Sequence, residues 1–465
     1  MKRRSLTGPI LLVLIGVGFL IYNLRPDIAM FDLMAQYWPF LLILWGGLRL
    51  VEVLVEYFRG SLQRTSFSGG EVVLIVFICL FGWGAYAAHR EGVHFHPLTW
   101  EAFGEHFDYT VDDQKPAGAA TRVVFENNRG NLRITGADTT DIKVTGRKSI
   151  QAINHSEADR ANDATRLEIV AQGDTITVRT NQDHNPTNGK IAEDLEITIP
   201  ARLNVEAHGS YGDYDVSEMN GSVDLHGGHA DVRLNKIGGD ARVELERSDL
   251  VRAVDLKGSL DLQGKGSDIE LENIAGQVTI DGSYSGSLEF KSLAKSLHFE
   301  SPNTDLRVAA VPGQISMDLG ELTANNLVGP VHLVTKSKDV KIEDFTESLE
   351  LETERGDIEL KPNHLPLAKI EARSRSGQIS LELPEKAAFQ LVASTDHGEA
   401  VNDFGPSIQK ETDGRSASLK GSVGQGARIH MVTERGTVTV RKTGAQSDDS
   451  DKTETGVRRP AVPAA

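Results

Sequence analysis

The sequence contains few of the residues that build disulfides, cysteine-based metal centres and sugar-binding clefts. Its 465 residues include one cysteine, Cys79, so neither an intrachain disulfide nor a cysteine-based zinc site can form. Aromatic residues make up 6% of the chain, and no tryptophan lies beyond Trp100. Sugar-binding clefts usually offer aromatic platforms, so the long region after Trp100 is poorly suited to cleaving polysaccharides.

Catalytic and nucleotide-binding motifs are also missing. The chain has no Gly-x-Ser-x-Gly, no phosphate-binding loop and no His-Glu-x-x-His. Carboxylates are numerous enough to form a glycosidase pair by chance, which keeps an enzyme acting on envelope polysaccharide as a third alternative. We expect no enzyme, and we predict no catalytic residues, no cofactor and no metal site.

Charge and hydropathy divide the chain near residue 90. Three stretches, 5–24, 33–48 and 72–89, lack Asp, Glu, Lys and Arg, and no comparable apolar run follows them. Residues 1–90 carry eight Lys/Arg and five Asp/Glu, whereas the whole chain has a net charge of −17, so the remainder carries −20. A domain this acidic repels phosphate groups, which argues against nucleic acid as a partner.

The apolar stretches predict a transmembrane region over residues 1–90. We expect helices over about residues 8–24, 36–56 and 71–89. Six basic residues then fall on the cytoplasmic side and two outside, which places the amino terminus in the cytoplasm. The prediction is a protein of the bacterial inner (cytoplasmic) membrane, held by three helices, with an extracytoplasmic C-terminal domain. If the second helix does not span, the orientation reverses.

The membrane region resembles that of the Lia-type cell-envelope stress proteins of bacteria. The likeness rests on the glycine-containing first helix and on Tyr37–Gly47, which reads Tyr-Trp-Pro-Phe-Leu-Leu-Ile-Leu-Trp-Gly-Gly. It covers about one fifth of the chain. The resemblance implies a role in the response to envelope stress.

Residues 91–120 are predicted to form a juxtamembrane linker. Within it, Leu98–Phe107 could form a short interfacial helix that turns its aromatic side chains toward lipid. His94, His96 and His106 lack a spacing that fixes a metal geometry, so solvated histidines are the simpler interpretation.

Beyond the linker, short apolar-polar-apolar triplets recur in two interleaved series. Members of the first series are separated by 16 to 19 residues and begin at Val223, Ala241, Leu260, Val278, Leu297, Ile315, Val331 and Leu349. Members of the second fall about midway and begin at Val232, Leu250, Ile269, Leu288, Leu306, Leu322, Val340, Ile358 and Ile379. Two series with one period of about 18 residues predict a repeat of two short strands.

This pattern predicts an all-β fold, a parallel β-solenoid in which each repeat forms one coil. Alternation makes each strand half-buried, and glycines at the repeat boundaries allow sharp corners. Coils stacked about 4.8 Å apart would place apolar ladders inside and charged side chains outside. Aspartates recur at the corners, and we expect each to cap its own turn rather than to bind calcium.

The solenoid needs covers at its ends, because an open coil edge invites aggregation. We predict an N-terminal β cap over residues 121–208, the solenoid over residues 209–387 and a C-terminal β cap over residues 388–443. The polar tail, residues 444–465, is predicted to be disordered.

Residues 121–442 resemble the bacterial putative-adhesin family, a domain of unknown function. The likeness rests on Asn128–Ile134, on Leu195–Pro200 and on the repeated Gly/Ser-Asp-hydrophobic-x-hydrophobic coils. It implies a β-solenoid at the cell surface or in the periplasm, and it carries over no catalytic residue.

These observations favour a non-enzymatic surface or envelope scaffold that binds an extended polymer or protein. A regulatory membrane protein of the envelope-stress response is the alternative. We predict that outward glutamates on the coils form an acidic partner-binding face, namely Glu270, Glu272, Glu359 and Glu382.

Overall fold

The computed structural model describes Val76, residues 104–186 and residues 190–443. The chain divides into two compact units, Met1–Phe107 with Gln151–Asp159 and Asp108–Ile150 with Arg160–Ala465. Apart from Val76, the predicted membrane helices and the predicted disordered tail lie outside the described residues. Within the described ranges, no helix is both long and apolar enough to cross a membrane.

The described part is almost entirely β-structure, with one α-helix, α1 (His155–Ala164). Its first strands are β1 (Glu105–Pro116), β2 (Arg122–Glu126), β3 (Leu132–Ala137), β4 (Asp141–Ala152), β5 (Glu168–Gln172), β6 (Thr175–Arg179) and β7 (Ile191–Pro200). The middle strands are β8 (Asn204–Tyr211), β9 (Tyr214–Ser217), β10 (Val223–His229), β11 (Val232–Ile237), β12 (Ala241–Leu256), β13 (Leu260–Ile274), β14 (Val278–Tyr284), β15 (Leu288–Leu293) and β16 (Leu297–Ser301). They continue as β17 (Thr304–Met317), β18 (Glu321–Ser337), β19 (Asp339–Phe345), β20 (Leu349–Arg355), β21 (Ile358–Lys361), β22 (Ile370–Ser376) and β23 (Ile379–Leu383). The last strands are β24 (Phe389–His397), β25 (Ala400–Asp403), β26 (Ile408–Asp413), β27 (Ser416–Val423), β28 (Ala427–Arg435) and β29 (Val438–Lys442).

Within the second unit, consecutive strands form coils with two strand-bearing faces. On the first face, β8, β10 and the first halves of β12 and β13 pair in parallel with their neighbours. On the second face, β9, β11 and the second halves of β12 and β13 do the same. Pairs such as Leu260 with Val278 and Ile269 with Leu288 join successive coils, so the predicted two-strand repeat is present.

Alternation along each strand separates a continuous core from two outer faces. In β13, for example, Leu262 and Leu271 are buried, whereas their sequence neighbours Gln263 and Glu270 are exposed. The inward side chains join one hydrophobic cluster that runs from Ala117 to Val440. Burial of these ladders provides the main stabilisation of the stack, and the outward positions are left to polar groups.

Corner aspartates join neighbouring coils, which corrects the expectation that each caps its own turn. The Asp231 carboxylate accepts hydrogen bonds from the Asp249 and Leu250 amides of the next coil, at 3.0 and 2.9 Å. Asp339 accepts in the same way from the Asp357 amide, 2.8 Å away and 18 residues later. Because stacked corners lie one strand spacing apart, an amide of the next coil is within reach of the side chain.

One coil runs backwards, so the predicted all-parallel arrangement is wrong at β17. Leu306 pairs with Phe299 on the first face, and Ile315 pairs with Phe290 on the second face, both in antiparallel register. The sequence pattern had placed these two residues in the opposite series. Leu306 and Ile315 exchange faces because β17 runs antiparallel to β15 and β16. It therefore contributes Leu306 to the first face and then Ile315 to the second face.

Tight turns on either side of β17 produce this reversal. At the first, β16 and β17 form a hairpin in which the Ser301 hydroxyl donates to the Thr304 carbonyl, 3.2 Å away. At the second, the Asp318 carboxylate accepts from the Gly320 and Glu321 amides, each at 2.8 Å. The following strand, β18, is antiparallel to β17 and then pairs in parallel with β19 and β20.

Both ends of the stack depart from chain order. The C-terminal strands β28 and β29 lie between β22–β23 and β24–β25, so the last coil of the sequence is inserted inside the stack. At the other end, β2 lies between β6 and β8, and β3 lies between β7 and β9. Two-strand pairing therefore extends beyond residues 209–387 in both directions.

The segment predicted as a linker contains a long strand. Residues 105–116 form β1, which pairs with β4, so the predicted interfacial helix is wrong at residues 105–107. The alternation of His106, Phe107, Asp108, Tyr109 and Thr110 suits a strand as well as a helix end. Pairing with β4 decides between them, and such a long-range contact is not visible in local sequence.

Candidate functional site

The first face carries two outward columns of side chains in register from β8 to β22. These columns hold ten carboxylates, three arginines and four histidines. The carboxylates are Glu206, Asp224, Glu244, Asp261, Asp281, Glu300, Asp305, Glu350, Glu352 and Glu371. The cations and histidines are Arg242, Arg307, Arg373, His208, His226, His298 and His332. Negative charge therefore exceeds fixed positive charge by a wide margin.

The three arginines of this face are already engaged by carboxylates on their own strands. Arg242 pairs with Glu244, and a hydrogen bond from this guanidinium lowers the pKa of the Glu244 carboxyl. Arg307 contacts Asp305 at 3.0 Å, and Arg373 contacts Glu371 at 2.6 Å. Within the described residues, Asp261, Asp281, Glu300 and Glu352 have no Lys or Arg nitrogen within 4.0 Å. These four define what we call the acidic patch.

The second face has a different charge pattern. Its two outward columns, from β9 to β23, hold seven carboxylates and five Lys or Arg side chains, with no histidine. The carboxylates are Asp215, Glu270, Glu272, Glu289, Glu343, Glu359 and Glu382, and the cations are Arg233, Arg252, Lys291, Lys341 and Lys361. Cations are interspersed among the carboxylates in both columns, so this face is nearly neutral.

All four glutamates predicted as a binding face lie on this second face, in its two neighbouring columns. Glu270 pairs with Arg252 at 3.2 Å, and Glu359 pairs with Lys361 at 3.0 Å. Glu382 contacts two cations, Lys361 at 3.4 Å and Arg441 at 2.8 Å. Three of the four glutamates are thus matched by cations of the same or the next strand.

The ion pairs around Lys361 show how cations balance the negative charge of the carboxylates on this face. Its ammonium lies within 4 Å of Glu343, Glu359 and Glu382, at 3.8, 3.0 and 3.4 Å. A hydrogen bond with Glu359 raises the pKa of Lys361, which keeps the amine charged. The Glu382 side chain is 13% exposed, so it has little surface left for a partner.

Two shallow depressions lie on the second face. The larger, about 420 Å³, is lined by three loosely paired arginines and their carboxylates, with Arg133 3.4 Å from Asp215 and Arg233 3.6 Å from Asp213. The smaller, about 150 Å³, includes Glu270 and Glu272. Both have polar linings rather than the apolar walls typical of small-molecule sites.

Histidines of the first face stand beside carboxylates but do not form a metal site. His226 contacts Asp224 and Glu244, each at 3.1 Å, and its ring stacks on that of His208 with centroids 4.9 Å apart. Among the described residues, no cluster of three or more His, Cys, Asp or Glu side chains has a geometry that could hold a metal ion.

Sequence reasoning missed the acidic patch because it treated all outward carboxylates as one set. The signal was present in the two series of triplets, whose middle residues differ in charge. Middle residues of the first series include Asp224, Asp261 and His298, whereas those of the second include Arg233 and Lys341. Separating the series by face would have predicted the difference.

Comparison with known families identifies two regions of the chain. Residues 223–441 match the model of the Toastrack DUF4097 family, and residues 7–98 match that of the LiaF transmembrane domain. These matches confirm both resemblances inferred from the sequence. A search of curated proteins found no match.

A search of solved structures found a crystal structure of a "putative cell adhesion protein" from Clostridium sporogenes ATCC 15579. The alignment covers 73% of this chain and all of that chain, at 6% sequence identity and a TM-score of 0.15. A TM-score this low supports no conclusion about fold or function.

Proposed function

We propose that this chain, which carries a LiaF transmembrane domain followed by a Toastrack domain, is a membrane-anchored, non-enzymatic envelope scaffold. In this proposal the β-solenoid lies outside the cytoplasm and binds an extended basic protein segment along its first face. The observation that carries the proposal is the difference in charge between the two faces. Ten carboxylates against three arginines leave the first face strongly negative, whereas seven against five nearly balance on the second.

The regular spacing of charge along this face supports the proposal. Its strands are spaced about 4.8 Å apart, and each except β18 carries a carboxylate in the outward columns, so a flexible basic segment would meet negative charge repeatedly along the stack. Each exposed charge pair contributes only about 0.2–1 kcal/mol, and useful affinity would come from many such contacts. Binding of this kind needs length and net charge rather than a pocket.

A second candidate function is regulation of the envelope-stress response. The match of residues 7–98 to the LiaF transmembrane domain favours it, because this region covers all three predicted helices and is larger than a single anchor. The two candidates are compatible if the membrane helices contact a signalling partner while the solenoid holds the basic segment.

The test measures binding of fluorescent polylysine to the full chain in detergent micelles. One variant neutralises the acidic patch through Asp261→Asn, Asp281→Asn, Glu300→Gln and Glu352→Gln. The matched control neutralises the four glutamates of the second face through Glu270→Gln, Glu272→Gln, Glu359→Gln and Glu382→Gln. Both variants change the net charge equally, so only the position of the change differs.

We expect neutralising the acidic patch to weaken polylysine binding about tenfold or more, and the control to change it less than about threefold. Binding of the unmodified chain should fall as salt rises, because exposed charges are screened. Equal losses in the two variants would mean that only net charge matters. A larger loss of binding in the control would place the binding site on the second face, as predicted from the sequence.

A further inference from the structure

The first face also differs from the second in its histidines. All four histidines in the outward columns defined above lie on the first face. His208, His226, His298 and His332 occupy outward positions on β8, β10, β16 and β18. The corresponding positions of the second face carry no histidine. Imidazole is the side chain whose charge ordinarily changes between pH 5 and 8, and of the two faces only the first carries it in these columns.

His208 and His226 form the first group. The Nε2 atom of His208 lies 2.7 Å from Glu206 Oε1 of the same strand, and Arg122 of β2 also pairs with this carboxylate. Glu126 of β2 is the register neighbour of His208 on the side away from His226. The stacked His226 ring contacts Asp224 and Glu244, while Arg242 shares Glu244.

His298 and His332 lie further along the first face in its other outward column, on either side of Arg307. The Nε2 atom of His298 lies 3.6 Å from both Glu300 and Asp305. The Nδ1 atom of His332 lies 3.4 Å from Glu350 of β20. Each ring therefore has a carboxylate within 4 Å, and Arg307 is the one fixed cation between them.

We propose that these histidines make the affinity of the first face for a basic segment depend on pH. With the imidazoles uncharged, the neighbouring carboxylates that no arginine contacts, Asp224, Glu300 and Glu350, are available to an external cation. Once protonated, each imidazolium pairs with a carboxylate that it already contacts, and the four new positive charges cancel more than half of the excess negative charge. The basic segment would then be released.

This inference rests on the proposed function, and the experiment separates the two. Polylysine binding to the full chain in detergent is measured at pH 7.5 and pH 5.5 at constant ionic strength, since lysine stays charged throughout this range. The test variant carries His208→Gln, His226→Gln, His298→Gln and His332→Gln, together with His430→Gln, because His430 continues the column of His298 and His332 on β28. The control variant carries His364→Gln and His397→Gln, two exposed histidines away from these columns.

We expect the unmodified chain and the control to lose affinity about tenfold or more between pH 7.5 and pH 5.5. The test variant should bind at pH 5.5 within about twofold of its pH 7.5 affinity. Circular dichroism at both pH values checks that every variant is folded. A pH-independent unmodified chain would overturn the inference, as would a test variant that loses affinity as much as the control. No binding at pH 7.5 would instead remove the proposed function and this inference with it.

Discussion

At the scale of single residues, Lys148 and Glu193 form a cross-strand ion pair that is almost fully removed from water. They lie opposite each other on β4 and β7, with side chains 2% and 0% exposed and Nζ 3.0 Å from Oε1. The ammonium also donates to the carbonyl and the hydroxyl of Thr165. The carboxylate has no such additional donors, because neither of its oxygens accepts a well-aligned hydrogen bond from the described residues.

Burial raises the pKa of Glu193 to about 7, although the neighbouring Lys148 ammonium opposes the shift. An acid with a raised pKa in the folded state holds its proton longer than in the unfolded chain. The contribution of protonated Glu193 to stability is complete below about pH 4.5 and is lost as pH rises through about 7. The pair should therefore weaken the N-terminal strands in alkaline solution.

We predict that the free energy of unfolding falls between pH 5 and pH 8 more for the unmodified chain than for Glu193→Gln. The difference should be on the order of 3 kcal/mol, since one unit of pKa shift corresponds to about 1.4 kcal/mol. Guanidinium unfolding of the full chain in detergent, followed by circular dichroism, measures it at both pH values. Parallel losses in the two proteins would show that Glu193 does not titrate in this range.

Single residues also show where sequence reasoning stopped. The recurrence of aspartate at corners was visible, but its hydrogen-bond partner was not, because Asp231 and the Asp249 amide are 18 residues apart. The burial of Lys148 was not predictable either, since an alternating strand gives a charged residue no sign that its neighbour across the sheet is an acid. Both features depend on contacts between strands.

At the scale of elements, the antiparallel strand β17 is an insertion in a repeat that would be regular without it. In regular coils, inward residues of the two faces are nine residues apart, as for Leu260 and Ile269 or Val331 and Val340. Removing Asp305–Gly320 leaves Leu297 and Leu322 nine positions apart as well. The deletion takes one strand from each face, so β16 could pair with the second half of β18 and β15 with its first half.

We predict that the chain lacking Asp305–Gly320 still folds, because each coil contacts only its neighbours. The matched control lacks Gly313–Val328, which is the same number of residues. That deletion takes two strands from the second face and none from the first, so the two faces no longer have strands in matching coils. Proteolysis and circular dichroism in detergent should show a resistant β-domain for the first deletion and loss of resistance for the second. Equal outcomes for the two deletions would contradict the assignment of strands to faces.

The sequence did carry a trace of this reversal. Both series contain one step of 16 residues, at Ile315 to Val331 and at Leu306 to Leu322, where other steps are 18 or more. Local alternation is the same in either direction along a strand, so the short steps could be counted but not interpreted. The insertion of β28 and β29 into the stack left no comparable trace, because it depends only on long-range pairing.

At the scale of the whole molecule, the net charge of −17 is distributed in two ways that matter for function. Along the chain, residues 1–90 carry few acidic residues and a small positive excess, and the negative charge lies after residue 90, as the sequence alone shows. Between the two strand-bearing faces of the solenoid, the excess of acid is larger on the first face. The period, the two-strand repeat and the resemblance of the membrane region could be predicted, and the charge of each face could have been predicted from the two series of triplets everywhere except at β17, where the strand reverses.

In the proposed function the first face meets a partner outside the cytoplasm, and β13 offers a matched test. A photo-crosslinking amino acid is placed at Gln263 on the first face or at Glu272 on the second, both exposed positions of one strand. The full chain is expressed in cells of a host in which it is membrane-inserted, and crosslinked material is identified after irradiation. We expect adducts with envelope components from position 263 and few from position 272. Equal adducts from both positions, or adducts with cytoplasmic proteins, would contradict the proposed function.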